Sequence, residues 1–471
     1  MAPRIHAPRI DFTALRRELE LPDGFPPEVL HEAERAALQS PLRAERLPDR
    51  TDIPFVTIDP PGSMDLDQAV CILARPAGYR VHYAIADVAS FVPAESVLGA
   101  ETWARGQTIY FPDGRVPLHP EVLSEGAASL LPEQVRAAVL WTIDLDRDGE
   151  QTSVNVHRVA VRSRARLDYA TVQRAVDQGT APEPVALLPE VGKLRLARAR
   201  RRGAIDLPLP EQEITGHDSA WRLELRAPYP VEAYNAEISL LTGMAAAQIM
   251  LDGGIGLLRT LPGPAPEELA RVRGSVRALG VDWPDDAEVS EAVGQLDAAS
   301  PQGAAALDVI AELLRGSGYT AFDGASPKRP EHAGVGAPYA HVTAPLRRPP
   351  DRYASAVCLA LYHAHDVPAH IRDALPRLPE AMAASDRRAS GAQRAAIDLV
   401  EAVLLADRVG EVFDAAVIER NGGSGATVML RDPPVRARCD GVSLRPGQRI
   451  AVRLLEADPT RRRVRFASVD V

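Results

Sequence analysis

The sequence of 471 residues has few cysteines and no long apolar segment. Its three cysteines, Cys71, Cys358 and Cys439, are widely spaced and provide neither a disulfide framework nor a CxxC metal motif. This usage is typical of a reducing cytoplasm, where we expect the protein to act. No run of about 18 apolar residues occurs, so we expect no membrane span. Residues 1–12 lack the apolar core of a secretory signal, so we expect no leader either.

Basic residues are outnumbered by acidic ones, 54 to 64, and lysine is almost absent. The formal net charge is −10 and the isoelectric point is about 5.7, whereas a basic surface is the usual sign of a polyanion binder. Only Lys193 and Lys328 of the 54 basic residues are lysine. Arginine binds phosphate bidentately and stacks on bases, but a genomic preference for arginine codons explains the same composition. Composition therefore leaves the partner open, and the local arrangement of residues has to decide it.

The periodicity of apolar residues changes along the chain and predicts several units. Residues 1–48 have the spacing of two short helices, the second opened by a Pro-Pro pair. Strand-like runs begin near residue 52 and include a hairpin whose turn is 147–149. Helical spacing dominates the middle of the chain and ends with a helix over 388–407. Five strand-like segments between 411 and 469 predict an OB-type barrel, although a small dimerisation barrel has the same pattern.

An acidic segment carries the clearest chemical signal. A predicted strand ends at Asp59, a Pro-Pro-Gly-Ser loop follows, and Asp65 and Asp67 come next at a spacing of two. In extended backbone this spacing directs both carboxylates to one face. Crowded carboxylates are best tolerated around a hard cation such as Mg²⁺, and two such ions can clamp the oxygens of a phosphodiester displacement. An exposed acidic loop is the commoner fate of such a motif, so spacing alone leaves both interpretations open.

Five blocks of sequence resemble the ribonuclease II/ribonuclease R (RNB) family of exoribonucleases. They are FVTIDPPGSMDLDQAV, AIADVASFV, WARGQTIYFPDGRVPLHPEVLSEGAASLLPE, RGAIDLPLPE and YAHVTAPLRRPPDRY. The resemblance implies an α+β protein with an RNB catalytic domain, a mixed sheet with surrounding helices, over 49–405. It further implies an S1-like OB-fold barrel over 406–471. A small helical unit, 1–48, precedes them and is too short for the cold-shock barrels that the family carries there.

The resemblance implies a hydrolytic, magnesium-dependent 3′→5′ exoribonuclease that degrades single-stranded RNA to 5′-mononucleotides, with Mn²⁺ as the alternative cation. Asp59, Asp65 and Asp67 match three of the four acidic metal ligands of the family, and Asp67 is the one most closely tied to cleavage. Gln68 stands at the fourth position, where the family has aspartate. An amide oxygen remains there, but one negative charge is lost, which weakens cation binding. We expect a monomer that binds RNA and no membrane.

The resemblance also assigns residues to the RNA. Arg347 in TAPLRR is expected to contact the cleaved phosphate and stabilise its developing charge. Arg348 is a weaker candidate for RNA binding, with a structural ion pair as the alternative. Tyr110 and Tyr169 match tyrosines that stack on bases, which suits a degrader without sequence preference. Glu237 is similar to a glutamate that contacts sugar hydroxyls, a contact that would favour RNA over DNA.

Two other functions stay open on the sequence. Because Gln68 removes a charge and Leu207 stands where the family usually has a stacking phenylalanine, the chain could instead be a catalytically weakened protein that holds RNA 3′ ends. A nuclease acting on DNA would use the same metal cluster. The short N-terminal unit also suggests a more open mouth than that of ribonuclease II, which would admit structured RNA.

Overall fold

The computed structural model describes residues 10–39, 42, 47–205, 207, 211–215, 222–297, 300–421, 425–441 and 444–469. The α-helices in these ranges are α1 (Phe12–Glu18), α2 (Pro27–Leu38), α3 (Val97–Arg105), α4 (Tyr169–Asp177), α5 (Leu188–Arg201), α6 (Pro230–Gly253), α7 (Pro266–Ala278), α8 (Val289–Gly294), α9 (Pro301–Ala311), α10 (Pro349–Tyr362), α11 (Ala369–Ala374) and α12 (Leu378–Leu405). The strands are β1 (Phe55–Asp59), β2 (Gln68–Arg75), β3 (Gly78–Ala86), β4 (Ile109–Phe111), β5 (Gly114–Val116), β6 (Val135–Asp146), β7 (Gln151–Asp168), β8 (Glu211–Thr215), β9 (Arg222–Arg226), β10 (Ile255–Thr260), β11 (Gly318–Asp323), β12 (Glu331–His332), β13 (Ala337–Pro338), β14 (Val412–Asn421), β15 (Gly425–Leu430), β16 (Arg436–Asp440), β17 (Arg449–Asp458) and β18 (Arg463–Ser468).

The first large sheet closes into a barrel with strand order β1-β2-β3-β6-β7. Strand β7 closes it because one part of this long strand pairs antiparallel with β6 and its last residues pair parallel with β1. The predicted hairpin is present as β6 and β7, which are joined by the expected turn. Fully buried Tyr83 and Trp141 lie in the hydrophobic core of this barrel. The sheet is mixed, as predicted, and its closure places the ends of β1 and β7 side by side.

Two long helices, α6 and α10, contribute to the same core as the barrel. At Gly243, helix α6 packs closely against Tyr339: a Cβ atom on the glycine would lie 2.1 Å from Cε2 of that ring. The close approach brings the helix to the segment that precedes α10, and Ser239 Oγ lies 2.8 Å from Thr343 Oγ1. This packing fixes the position of residues 343–348 relative to the barrel.

The C-terminal strands form a second closed barrel with order β14-β15-β16-β18-β17, which confirms the predicted five-stranded barrel. Phe413 and Phe466 meet edge to face inside it, with ring centroids 6.0 Å apart. Residues 422–424, between β14 and β15, lie outside the described residues.

The N-terminal helices pack on the rest of the chain. Asp11 caps α1, since its Oδ1 accepts a hydrogen bond of 2.9 Å from the Thr13 amide. Phe12 and Leu15 are buried in a hydrophobic cluster shared with α12 and the C-terminal barrel. Glu18 then pairs with Arg462 of that barrel at 2.7 Å. Helix α1 is therefore held in place by apolar contacts on its buried face and by an ion pair at its surface.

Other sequence features have simple outcomes. Cys71, Cys358 and Cys439 are buried free thiols. Among the described residues, no helix is both long and apolar enough to cross a lipid bilayer.

Candidate active site

A cleft of about 1560 Å³ opens where β1 and β7 end. Asp59, the last residue of β1, is in register with Asp168, the last residue of β7, and Tyr169 follows as the first residue of α4. Most of the residues that the sequence singled out line this cleft. They are Asp59, Asp65, Asp67, Gln68, Tyr110, Tyr169 and Arg347.

Asp67 is the most firmly held of the three aspartates. It is buried, and its Oδ1 accepts a hydrogen bond of 2.7 Å from the backbone N–H of Leu346. Its Oδ2 lies 3.7 Å from Nε of Arg347. Burial raises the pKa of Asp67 well above its usual value, and the charge of Arg347 opposes that rise. The bond to Leu346 thus places a carboxylate and a guanidinium side by side in the cleft.

Asp59 has a buried oxygen with nothing to satisfy it. Within the described part of the chain, its Oδ2 has no hydrogen-bond partner. Burial raises the pKa of Asp59 to about 6; the Thr57 side chain opposes this rise, the charge of Asp65 adds to it, and Arg347 opposes it. A carboxylate with one buried oxygen that lacks a hydrogen bond, beside other carboxylates, is the donor set that a hard cation takes. The residues present therefore fit a divalent cation of the magnesium type.

Asp65 is already engaged on both oxygens. Its Oδ1 accepts a hydrogen bond of 2.8 Å from Nη1 of Arg115, and its Oδ2 accepts one of 3.1 Å from the Tyr110 hydroxyl. Arg115 also contacts Glu125 through its Nη2. Both Arg115 and Glu125 line the cleft, and sequence reasoning missed them. The only signal was their place in the third resembling block, which does not show that either side chain faces Asp65.

The aspartates do not form a ready metal cage as they stand. Among the described residues, no three His, Cys, Asp or Glu side chains are grouped closely enough to hold an ion. The metal therefore remains a prediction that the donor chemistry supports.

The side chain of Gln68 is hydrogen-bonded to the wall of the first barrel. Its Oε1 accepts a hydrogen bond from the hydroxyl of Tyr83, a buried residue of β3. The amide oxygen that the sequence offers as a fourth ligand is thus in use within the barrel wall. A role for it in cation binding would have to use the second lone pair of this oxygen.

The two tyrosines and Arg347 present groups to solvent in the cleft. Tyr110 is 49% exposed, and its hydroxyl is tied to Asp65. The hydroxyl of Tyr169 accepts a hydrogen bond of 3.2 Å from Nδ2 of Asn235, which fixes that ring at the start of α4. The side chain of Arg347 is 43% exposed. These groups are accessible to a ligand that enters the cleft.

Two predicted RNA contacts lie elsewhere. Glu237 is buried on α6, and its charge acts on Arg195 and Arg202 of the neighbouring segment. Asn235, two residues earlier on the same helix, is the residue that reaches Tyr169. The sugar contact of Glu237 therefore stays a prediction.

Arg348 is held in an ion pair, and its contact with RNA stays a prediction. Its Nε and Nη2 donate hydrogen bonds of 3.0 and 2.9 Å to the fully buried carboxylate of Asp351. This is the structural ion pair that the sequence left as the alternative, and it ties the start of α10 to the segment before it.

The N-terminal unit forms part of the same cleft. Arg16, Arg17, Phe25 and Leu30 lie on its wall together with the aspartates. Arg16 pairs bidentately with Asp113, in the turn between β4 and β5, at 2.7 and 3.0 Å. The mouth of the cleft is therefore built in part by the unit over 1–48.

Known proteins match this chain over most of its length. Residues 48–362 match the family described as RNB domain, and residues 411–469 match the RNase II-type exonuclease C-terminal S1 domain. Ribonuclease R of Escherichia coli (strain K12) is 29% identical over 415 residues, which cover 82% of this chain and 50% of that protein. The chain thus spans about half the length of the curated relatives it matches.

Solved structures show the same fold. Mycoplasma genitalium RNase R, in complex with ribose-methylated single-stranded RNA, matches with a TM-score of 0.87 at 20% identity, over 97% of this chain and 77% of that one. Yeast Ssd1, described as a pseudonuclease, matches with a TM-score of 0.72 at 17% identity, over 88% of this chain and 54% of that one. These matches confirm the predicted architecture of a mixed α/β domain followed by a five-stranded barrel.

Proposed function

The chain belongs to the RNB family, and we propose that it is a hydrolytic 3′→5′ exoribonuclease that acts on single-stranded RNA and releases 5′-mononucleotides. One observation carries the proposal. Asp59, Asp65 and Asp67 line a single cleft together with Arg347, although the arginine lies far away in the sequence. This combination of acidic oxygens and one accessible guanidinium is the donor set that phosphodiester hydrolysis needs.

The three aspartates would hold Mg²⁺ or Mn²⁺. When bound, such ions neutralise phosphate charge and activate water. Asp67 is preorganised for this task because the Leu346 amide fixes one of its oxygens. Its burial keeps water from screening its charge, so its interaction with a cation is strong.

Arg347 supplies the fixed positive group beside the reacting phosphate. Its Nε lies 3.7 Å from Asp67, and much of its side chain remains exposed to a ligand. A guanidinium in this position binds phosphate oxygens and stabilises charge that develops on them. Held near Asp67, it aligns the phosphodiester with the acidic residues.

The aromatic rings hold the bases. Tyr110 and Tyr169 line the cleft on different elements, and each hydroxyl is tied by a hydrogen bond that orients the ring. Stacking on such rings tolerates any base and contributes roughly 1–3 kcal/mol per base. This suits a general degrader. We propose that the protein works as a monomer in the cytoplasm, where its buried thiols stay reduced.

The direct test uses a 5′-labelled RNA of about 25 nucleotides, a length that exceeds the strand site of a single binding module, and a DNA strand of matched sequence. The proposal expects a ladder of RNA shortened from the 3′ end with Mg²⁺, none with EDTA, and little shortening of the DNA. Internal cuts, or no shortening of RNA in any divalent cation, would refute it. Equal degradation of both strands would instead identify a nuclease without preference for RNA.

A second candidate is a weakened enzyme that holds RNA 3′ ends. It is favoured by the Gln68 oxygen, which is occupied by Tyr83, and by Asp65, which is occupied by Arg115. Yeast Ssd1, a pseudonuclease, has a similar fold. The Gln68→Asp variant separates the candidates, because restoring the charge should raise the cleavage rate strongly only if the native site is handicapped.

A further inference from the structure

Arg115 lines the acidic cleft. It lies on β5, the hairpin partner of the strand that carries Tyr110. Its Nη1 donates to Asp65 at 2.8 Å, and its Nη2 contacts Glu125. The side chains of all three charged residues are largely buried, so their charges interact more strongly than those of a surface pair.

This arrangement gives each carboxylate oxygen of Asp65 one hydrogen-bond donor. One oxygen accepts from Arg115 and the other from Tyr110. Each oxygen keeps a lone pair for a divalent cation, but the positive charge of Arg115 beside it repels that cation at short range. The Tyr110 bond is longer and comes from a neutral donor, so the guanidinium is the principal competitor of the cation.

Glu125 offers Arg115 a second anionic partner. It lies in the π-helical turn Val122–Ala127, a rare local structure that often marks functional positions. Because Glu125 already contacts Arg115, the guanidinium keeps an anionic partner when it leaves Asp65. The charge of Arg115 therefore need not be stranded in a half-buried site, which would be costly.

We propose that Arg115 is an internal counter-cation of this site, which holds Asp65 while no divalent cation is bound and then withdraws onto Glu125. The exchange involves only ion pairs, and no covalent bond changes. It makes Arg115 and Glu125 positioning residues that set how tightly the cleft binds a cation, in a chain where Gln68 supplies no charge. This inference rests on the proposed function, because it assumes that Asp65 is a cation ligand.

The test measures Mn²⁺ affinity of the RNA-free full-length protein by electron paramagnetic resonance titration, so it does not depend on activity. Arg115→Met should tighten Mn²⁺ binding by about tenfold, the order expected when one competing ion pair is removed. Arg115→Lys keeps the charge without the fork and should lie between wild type and Arg115→Met. Glu125→Gln should weaken Mn²⁺ binding. Without the charge of Glu125, Arg115 keeps only Asp65 as an anionic partner and holds it more tightly.

The matched control is Arg16→Met. Arg16 lines the same cleft and pairs bidentately with Asp113, but that pair does not include the three aspartates. Its loss should leave Mn²⁺ affinity unchanged. Arg115→Met with wild-type or weaker affinity would overturn the inference, since it would mean that Arg115 is either idle or holds Asp65 in the ligating pose. If Arg115→Met does not fold, Arg115→Lys replaces it, and wild-type or weaker affinity of that variant would overturn the inference equally.

The Asp65→Asn variant distinguishes failure of the inference on Arg115 from failure of the proposed metal site. If this variant binds Mn²⁺ as well as wild type does, Asp65 is no ligand, and both the inference and the metal site of the proposed function are lost. If it binds Mn²⁺ poorly while Arg115→Met matches wild type, only the inference on Arg115 fails.

Discussion

Acidic residues with raised pKa values lie in different parts of this chain. Asp59 and Asp67 lie in the cleft, and Glu401 lies far from it on α12, where it accepts hydrogen bonds from the Arg436 amide at 2.8 Å and from Gln212 at 3.0 Å. Burial raises the pKa of Glu401 to about 7. Glu401 joins α12 to β8 and to the C-terminal barrel, so its ionisation bears on how these elements stay together.

The raised pKa of Glu401 predicts a pH-dependent stability. The folded state binds the proton more tightly than the unfolded state, whose carboxyl titrates near 4.5. Stability from this group is therefore complete at low pH and is lost as the pH rises toward about 7. The Glu401→Gln variant, which stays neutral, should gain on wild type over this range by up to about 3 kcal/mol. Urea unfolding at pH 5 and pH 8 measures this, and a constant difference between the two proteins would contradict it.

For single residues, the sequence predicts which acidic residues line the cleft better than it predicts the residues that they contact. The spacing of Asp65 and Asp67, and the strand end at Asp59, are local features that a motif contains. The partner of Asp65 is Arg115, which lies 50 residues away and reaches it only because a hairpin folds over the cleft. Such contacts depend on tertiary packing, which no local pattern specifies.

Helices α6 and α12 contain glycines in opposite surroundings. Gly243 is buried in α6, where a Cβ would meet the Tyr339 ring at 2.1 Å and the Ala340 carbonyl oxygen at 2.5 Å. Gly391 is exposed in α12 and has nothing within 4 Å of its would-be Cβ. The first glycine permits close packing of a helix against residues 339–343, and the second only costs helix stability.

These surroundings predict opposite effects of one substitution. Gly243→Ala should destabilise the protein by about 1–3 kcal/mol, because backbone and ring must shift to admit the methyl group. Gly391→Ala should stabilise it by about 0.5–1 kcal/mol through helix propensity. Thermal unfolding of both variants measures the difference in sign. A stabilised Gly243→Ala variant would show that α6 does not pack as described.

Among the elements, the sequence pattern predicts the strands well, but it predicts the ends of helices and the closure of the first barrel poorly. The strands β1, β2 and β3 and the β6–β7 hairpin match the sequence patterns. Apolar spacing predicts the last helix over 388–407, whereas α12 is Leu378–Leu405. Its first turns carry Pro379 near the helix start, a position that proline favours but that apolar spacing does not reveal. Closure of the first barrel depends on the double pairing of β7, which is a long-range event.

For the molecule as a whole, a net charge of −10 means that the proposed RNA substrate would have to be attracted by local positive surfaces. On the C-terminal barrel several arginines already have acidic partners, including Arg438 with Asp440 and Arg463 with Glu456. Arg445 and Arg449 are exposed on the same barrel. They are therefore the better candidates for contact with RNA phosphates.

Replacing Arg445 and Arg449 together by alanine should weaken RNA binding and flatten its dependence on salt by about two phosphate contacts. Fluorescence anisotropy over a series of KCl concentrations measures the slope. The control is Arg408→Ala, since Arg408 is paired with Glu411 at 2.9 Å. An unchanged slope in the double variant would place the RNA path away from this face of the barrel.

Asp67 is the residue on which the proposed chemistry depends most. Single-turnover cleavage and equilibrium binding of one 3′-tailed RNA should be measured for wild type, Asp67→Asn and Asp113→Asn, which removes a carboxylate elsewhere in the same cleft. We expect Asp67→Asn to lose cleavage by at least about 100-fold while RNA affinity survives, and Asp113→Asn to cleave nearly as wild type does. Cleavage by Asp67→Asn at the wild-type rate would contradict the assignment of this cleft as the active site.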